Sequence, residues 1–318
     1  MRISVIGLGY LGAVTAASLA GLGHKVLAID RDEERINDYM ENHSDTHEPG
    51  LKTLVKKNVQ KGTLSFSSTR NFRGDLGEVA IITVGTPPKA DGNCDLSQVH
   101  DAIEWVLEHS ETLGGIVMKS TVPPGTGSEL TKRVGSKKSI SYYSCPEFLS
   151  EGSALNDFLH PNRIIVGTNT KAPERLIRDL HCGIKSTYLF TDTTTAEMIK
   201  CASNVFLSTK ISFINSVANL CEAVGANIDV VEKGIGLDPR IGQKYLKPGV
   251  GYGGSCLPKD TIAFSKIMQE NNVENDLVKA VIKINESQKK IPFGYLQSRI
   301  KNIQGLKVSV LGLSFKPN

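Results

Sequence analysis

The chain has 318 residues, longer than one average domain and enough for one large hydrophobic core or two moderate ones. Its 37 basic and 33 acidic side chains give a net charge of +4, and neither sign forms a long block, so we expect no nucleic-acid partner. The six cysteines lie far apart and form no CxxC pair, which indicates neither a metal site nor a disulfide framework and favours a reducing cytoplasm.

The first 23 residues, "MRISVIGLGYLGAVTAASLAGLG", superficially resemble a signal peptide, because Arg2 precedes a long apolar stretch. Three glycines interrupt that stretch, however, and "HKVLAID" follows as a second apolar segment. The pattern therefore favours a strand ("RISVIG"), a turn ("GLGYLG") and a helix ("AVTAASLAGLG"). No other stretch is long enough to span a membrane, so we expect no membrane partner.

The turn contains a GxGxxG pattern, whose glycines are Gly7, Gly9 and Gly12. The first glycine permits a tight turn, the second lets the backbone approach a pyrophosphate, and the third allows close packing of helix on strand. Asp30 ends the second strand and would accept hydrogen bonds from an adenosine ribose, which favours NAD. Arg31 and Arg35 keep NADP open as the less favoured alternative.

Two further apolar segments end in proline-containing turns, "VAIITVGTPP" at 79–88 and "GGIVMKSTVPPGT" at 114–126. Ligands of an open parallel sheet bind over the carboxyl ends of its strands, where these turns are expected. The alternative is that both segments are ordinary turns that contact no ligand, since proline and glycine are common in turns of every kind. Beside a dinucleotide pattern we favour cofactor contact, and we predict an α/β fold with a Rossmann-type, mainly parallel sheet.

The middle of the chain combines carboxylates with a long apolar segment. Glu147 and Glu151 are four apart, so on a helical turn they would share a face and repel, as on an ordinary solvated surface. Apolar residues occur all round much of the segment 196–231. This pattern predicts one long helix, buried between domains or at a subunit interface. Lys200 and Asn204 lie on one face of it and need polar partners, which could be a substrate or a carboxylate of the fold.

The segment "GYGGSCLPKD" at 251–260 combines three glycines with a cysteine, a lysine and an aspartate. In isolation, Cys256 would most simply be a packed core thiol. A helix that begins near Ser255 would instead place its sulfur at a helix N-terminus with Lys259 one turn later, and both features favour the thiolate. Pro258 is tolerated in such a first turn.

The end of the chain repeats its beginning, since "VSVLGLS" at 308–314 matches "ISVIGLG" at 3–9. We predict the first strand of a second nucleotide-binding unit there, cut short because one strand cannot build a domain. The predicted domains are an NAD-binding Rossmann-like domain at 1–192, a central all-helical dimerisation domain with the cysteine loop at 193–304, and that first strand at 305–318.

The segments "GLGYLG", "VGTPP", "STVPPGT", "PEFLSEG", "DPRIG" and "GYGGSCLPKD" occur in this order, and together they resemble the UDP-glucose/GDP-mannose dehydrogenase family over essentially the whole chain. The resemblance implies two successive NAD-linked oxidations of the C6 alcohol of a nucleotide sugar, through a thiohemiacetal and a thioester on Cys256. It favours UDP-glucose, because the branch acting on UDP-N-acetylmannosamine tends to carry histidine at the position of Ser255 and no lysine at that of Lys259.

The resemblance also implies roles for individual residues. Lys200 and Asn204 would stabilise negative charge that develops on the substrate, Asp260 would shuttle protons through a water held by Thr121, and Glu151 would assist thioester hydrolysis. Expected cofactor contacts are Gly7, Gly9, Tyr10, Leu11, Gly12, Asp30, Arg35, Val84, Gly85, Thr86, Pro87, Ser120, Thr121, Glu151 and Lys259. Expected substrate contacts are Glu147, Phe148, Leu149, Glu151, Lys200, Asn204, Arg240, Tyr245, Lys247, Gly251, Tyr252, Gly253 and Lys316.

The resemblance further implies that Arg240 comes from a neighbouring subunit, and hence a homodimer built on the long helix.

Two alternatives to this function remain open. The substrate could be GDP-mannose or another UDP-sugar, because an absent C-terminal domain would carry the base selectivity. A truncated chain could also be an idle NAD-binding dimer, since remote contacts hold the reacting end of a substrate in place.

Overall fold

The computed structural model describes residues 1–41, 43, 46–110, 112–137, 140–171, 174–300 and 302–312. Within these ranges the chain forms eight strands: β1 Arg2–Ile6, β2 Lys25–Asp30, β3 Leu64–Ser68, β4 Val79–Ile82, β5 Gly115–Met118, β6 Ser141–Ser144, β7 Arg163–Gly167 and β8 Thr187–Thr191. The same ranges form twelve helices: α1 Tyr10–Gly21, α2 Glu33–Met40, α3 Leu51–Gln60, α4 Ser97–His109, α5 Thr126–Lys137, α6 Ala154–Leu159, α7 Glu174–Leu180, α8 Thr193–Val224, α9 Ile228–Gly236, α10 Leu257–Glu270, α11 Asp276–Gln288 and α12 Ile291–Arg299.

The eight strands form one sheet in the order β3-β2-β1-β4-β5-β6-β7-β8. Every neighbouring pair is parallel except β6 and β7, which are antiparallel. The predicted mainly parallel, Rossmann-type sheet is therefore confirmed. The opening segment forms β1, α1 and β2, as the strand–turn–helix interpretation predicts. Among the described helices, none combines the length and apolar character that crossing a bilayer requires.

The central strands β4 and β5 are buried on both faces of the sheet, which explains why they are short and continuously apolar. All four residues of β4 and all four of β5 are buried. Successive side chains point to opposite faces, so Ile81 and Ile82 belong to two different core clusters. Helix α1 is rich in alanine and packs within the first cluster, where small side chains allow close approach to the sheet.

A buried histidine makes this domain sensitive to acid. Burial, helped by the charge of Lys119, lowers the pKa of His181 to about 4, and its Nδ1 lies 2.9 Å from the Ile177 carbonyl. The folded state therefore binds fewer protons than the unfolded state between about pH 4 and 6.5, so stability falls as pH drops through that window.

We expect the wild-type chain to lose about 2 kcal/mol of unfolding free energy through His181 between pH 7 and pH 5. His181→Asn keeps a donor for the Ile177 carbonyl but does not titrate, so its pH dependence should be weaker by that amount. Urea unfolding at the two pH values measures the difference, and parallel pH profiles of the two proteins would contradict the assignment.

The chain divides into two compact units, and the division falls within α8. The first unit contains residues 1–87 and 94–200, and the second contains residues 88–93 and the chain from Cys201 onward. The division therefore lies eight residues beyond the predicted boundary at 192 and assigns the short segment 88–93 to the second unit.

The prediction of a single helix over 196–231 is wrong, because α8 ends at Val224 and α9 begins at Ile228. Gly225 adopts a φ of +77°, a conformation that stops a helix at low cost. The Asn227 side chain then caps α9 by accepting hydrogen bonds from the Asp229 and Val230 amides.

Helix α8 is also only partly buried. Phe206, Phe213 and Leu220 recur every seven residues along it, and each side chain is more than half exposed. Residues at this spacing share a helix face, so the second unit carries an exposed apolar stripe. The described part of the predicted final strand, 308–312, is in no strand.

Candidate active site

The glycine-rich turn of the first unit has the geometry that a dinucleotide requires. Gly7 has a φ of +97°, and a Cβ on Gly12 would lie 1.8 Å from the Gly7 carbonyl oxygen. The Asp30 carboxylate accepts a hydrogen bond from the Leu8 amide at 2.5 Å, which ties the turn to the end of β2. The N-cap residue of α1 is Gly9, which has no side chain to cap the helix, and the N-terminus of a helix favours an anion such as a phosphate. These residues fit NAD.

The environment of Arg35 disfavours a 2′-phosphate. Its guanidinium lies 3.2 Å from the Asp30 carboxylate and 3.5 Å from that of Asp32. An extra phosphate there would meet two carboxylates around an arginine that is already paired. The geometry therefore supports the preference for NAD over NADP that Asp30 suggests.

The two proline-containing turns follow adjacent strands, β4 and β5, and are joined by hydrogen bonds. The Ser120 hydroxyl donates to the Val84 carbonyl at 2.7 Å, and the Thr86 hydroxyl donates to the Thr121 carbonyl at 2.9 Å. Both turns lie at the carboxyl edge of the sheet, where cofactor contacts are expected. The structure thus brings the predicted residues 84–87 and 120–121 together.

Lys200 is 4% exposed, and its partner is a carboxylate of the same unit. Its Nζ lies 2.9 Å from Glu147 Oε1 and 5.3 Å from the centre of the Phe148 ring. The centre of the same ring also lies 3.9 Å from the guanidinium carbon of Arg163. Since a buried charge is costly unless paired, the ion pair with Glu147 offsets the cost of burying Lys200.

Glu147 and Glu151 do not share a helical turn. Residues 145–150 form no helix, and α6 begins only at Ala154. Glu48, which sequence reasoning missed, is buried and accepts hydrogen bonds from the amides of Gly152 (2.9 Å) and Leu155 and from the Tyr10 hydroxyl. Glu48 therefore fixes the turn that carries Glu151 to the start of α1.

Sequence reasoning also missed Glu197, three residues before Lys200. Its buried carboxylate accepts hydrogen bonds from the Gly125 and Gly127 amides, both at 2.8 Å, and from the Ser144 hydroxyl at 2.9 Å. Burial raises the pKa of Glu197 to about 7, although these donors oppose the shift. Glu197 therefore joins α8 to the turn after β5.

In the second unit, Cys256 stands at the beginning of α10. It is the N-cap residue, its side chain is exposed, and its sulfur lies 3.5 Å from the Ser255 hydroxyl. Pro258 lies within the first turn. The predicted helix start is confirmed, and the alternative of a packed core thiol is wrong for the described structure. Partial positive charge at a helix N-terminus favours a thiolate.

The first turn of α10 also carries a buried carboxylate. Asp260 is 5% exposed and accepts hydrogen bonds from Lys259 Nζ at Oδ1 and from Asn204 Nδ2 at Oδ2, both at 2.6 Å. Asn204 therefore has a carboxylate partner, one of the alternatives that the sequence left open. Both carboxylate oxygens of Asp260 are therefore held by donors within the second unit.

The predicted substrate contacts of the second unit differ in exposure. Lys247 is exposed, and Arg240 is exposed and held by Asp238 at 2.6 Å. Tyr252 is 6% exposed, and its hydroxyl interacts with Ser208 and Thr261 in the interior. The Tyr252 side chain is therefore engaged in the interior of the second unit and is not exposed to a substrate. Tyr245 adopts a φ of +63°, and Lys316 lies outside the described residues.

Comparisons with known proteins agree with this arrangement. Residues 1–185 match the profile described as UDP-glucose/GDP-mannose dehydrogenase family, NAD binding domain, and residues 194–287 match that family's central domain. A UDP-glucose 6-dehydrogenase of Bacillus subtilis is 43% identical over 100% of this chain and 73% of its own length.

Solved structures show the same relationship. That of a UDP-glucose dehydrogenase from Pyrobaculum islandicum has a TM-score of 0.92 and 37% identity, and the match covers 99% of this chain and 75% of that one. A GDP-mannose dehydrogenase from Pseudomonas aeruginosa gives a TM-score of 0.70 at 30% identity, covering 94% and 71%. The chain therefore belongs to the UDP-glucose/GDP-mannose dehydrogenase family, with an NAD-binding domain followed by the family's central domain.

Proposed function

We propose that the chain catalyses the four-electron oxidation of the C6 alcohol of UDP-glucose to the carboxylate of UDP-glucuronate. The observation that carries the proposal is the exposed Cys256 thiol at the N-terminus of α10, on the same helical turn as Lys259 and Asp260. A single hydride transfer has no use for a nucleophilic thiol, whereas trapping an aldehyde requires one. The relatives named UDP-glucose 6-dehydrogenase support the choice of substrate.

The chemistry balances with two equivalents of oxidant. The glycine-rich turn and Asp30 would hold NAD, which would supply a hydride acceptor for each of the two oxidations. Loss of a hydride and a proton converts the alcohol to an aldehyde, and the Cys256 sulfur adds to it to form a thiohemiacetal. A second loss leaves a thioester, and water then releases the carboxylate and regenerates the thiol.

The chain's own polar residues would move the protons and stabilise the charges. Asp260, positioned by hydrogen bonds from Lys259 and Asn204, would accept the proton of the C6 hydroxyl. Lys200 would stabilise negative charge on the substrate oxygen, with Glu147 holding it in place. Glu151, whose turn is fixed by Glu48, would assist the final hydrolysis by activating water.

We also infer a homodimer that buries the exposed apolar stripe of α8. Phe206, Phe213 and Leu220 would otherwise remain in water on one helix face. Leu237 and Ile241 extend the exposed apolar surface of the second unit towards Arg240, the residue expected to act on a neighbouring subunit's substrate. A reducing, cytoplasmic location would suit a mechanism that depends on a thiol.

The substrate proposal is tested by steady-state kinetics with NAD and three candidates: UDP-glucose, GDP-mannose and UDP-N-acetylmannosamine. We expect the kcat/KM for UDP-glucose to exceed the others by about 100-fold or more, because sites that bind polar groups of one substrate reject analogues lacking them. A preference for GDP-mannose would overturn the choice of base. NAD binding with no turnover of any sugar would support the idle NAD-binding alternative.

A further inference from the structure

The loop that precedes the catalytic cysteine is held by buried side-chain amides. Residues 248–253 form neither helix nor strand, so their backbone groups need other partners. Asn285 is the partner of both backbone groups of Tyr252. Its Oδ1 accepts a hydrogen bond from the Tyr252 amide at 2.7 Å, and its Nδ2 donates one to the Tyr252 carbonyl at 3.1 Å. One carboxamide thus replaces the two hydrogen bonds of a neighbouring strand.

The backbone of Gly249 is held in the same way by two residues. Its amide donates to Asn215 Oδ1 at 2.8 Å, and its carbonyl accepts Gln288 Nε2 at 2.9 Å. Asn219 donates to Gln288 Oε1 at 3.1 Å, which orients that carboxamide. Four backbone groups of the loop are therefore fixed by Asn215, Asn285 and Gln288, which we term the amide set.

The amide set is built into the interior of the second unit. Asn215 is 1%, Asn285 3% and Gln288 7% exposed. Burying an amide without hydrogen bonds costs about 1–3 kcal/mol, so these bonds to the loop are needed to hold the side chains inside. The loop fits them closely, because a Cβ on Gly251 would lie 2.5 Å from Asn285 Oδ1 and Gly251 has a φ of +101°.

We propose that Asn215, Asn285 and Gln288 are positioning residues that pre-form the loop 248–253 for the nucleotide sugar. The inference rests on the proposed function, in which this loop contacts the sugar beside Cys256. A loop whose backbone is already hydrogen-bonded to buried side chains loses little conformational entropy when substrate binds. A loop without these bonds must be ordered by the substrate itself. The amide set therefore determines substrate affinity, while the chemical step depends on Cys256 and Asp260.

The test is Asn285→Asp, which keeps the shape and the acceptor but removes the donor to the Tyr252 carbonyl. We expect the KM for UDP-glucose to rise about ten-fold or more, with kcat within about three-fold of wild type and the KM for NAD unchanged. The matched control is Asn275→Asp: Asn275 is also 3% exposed, but its Nδ2 donates to Ser265 and not to the loop. We expect this control to lower thermal stability by a similar amount while leaving kcat and the KM values for UDP-glucose and NAD unchanged.

A second variant covers the case in which Asn285→Asp does not fold. Gln288→Met is similar in volume, and Gln288 is the most exposed of the set, so it should fold while losing its bond to Gly249 and raising the KM for UDP-glucose about three-fold or more. Hydrogen exchange at residues 248–253 should accelerate in both variants. An unchanged KM for UDP-glucose, or equal losses with Asn275→Asp, would overturn the inference alone. A wild-type chain that neither binds nor oxidises UDP-glucose would overturn the proposed function.

Discussion

Replacing Cys256 by serine is expected to lower the steady-state rate of NADH formation from UDP-glucose by about 1,000-fold or more. A hydroxyl at the N-terminus of α10 remains protonated at neutral pH, so it adds to the aldehyde far more slowly than a thiolate does. The remaining activity should stop after the first oxidation. Stopped-flow absorbance with limiting enzyme measures the steady-state rate, and quenched samples identify the sugar product.

Cys182 provides the control for this substitution, because its thiol is also exposed but lies outside any helix N-terminus. Cys182→Ser should retain the wild-type rate. If Cys256→Ser keeps more than about a tenth of that rate, the thiol is not the nucleophile and the oxidation proceeds without covalent catalysis.

Replacing Asp260 by asparagine is expected to lower kcat by about 100-fold to 10,000-fold, the range that a general base contributes. The buried carboxylate accepts hydrogen bonds from both Lys259 and Asn204, and an amide can neither take a proton nor accept both donors with equal strength. The NH2 group of an asparagine there would face either the Lys259 ammonium or the Asn204 amide in place of an acceptor oxygen. The binding of NAD, measured by fluorescence titration, should change little, because Asp30 and the glycine-rich turn belong to the other unit.

Asp229→Asn is the matched control, since Asp229 also lies in the first turn of a helix, α9, but its side chain is exposed. Both substitutions remove a negative charge that stabilises a helix N-terminus by about 0.3–1 kcal/mol. Only Asp260→Asn should lose activity. Equal kinetics of the two variants would show that Asp260 contributes to helix stability and not to proton transfer.

Local patterns predicted the parts of this protein that depend on neighbouring residues. The glycines of "GLGYLG" require a tight turn wherever they occur between a strand and a helix, and the turn is present. The cysteine loop likewise contained its own helix start, with Pro258 in the first turn. The break at Gly225 was missed because the apolar pattern continues across it, although glycine followed by Asn227 is a recognisable stop and cap.

Contacts between distant segments could not be predicted in the same way. The pairing of Lys200 with Glu147 joins residues 53 positions apart, and spacing says only that Lys200 needs some partner. Glu48 and Glu197 carry no motif of their own, and their roles appear only when the sheet brings their acceptor oxygens to backbone amides. The amide set could not be predicted either. Asparagine and glutamine side chains are mostly exposed, and local spacing does not show that a loop folds against these three.

The central claim is that one chain performs both oxidations through Cys256, and the most direct measurement counts NADH formed per UDP-glucose consumed. With limiting sugar and excess NAD, the account predicts two NADH per sugar and UDP-glucuronate as the only sugar product. One NADH per sugar, with the C6 aldehyde released, would contradict it, because the thiol would then not have retained the intermediate for the second oxidation.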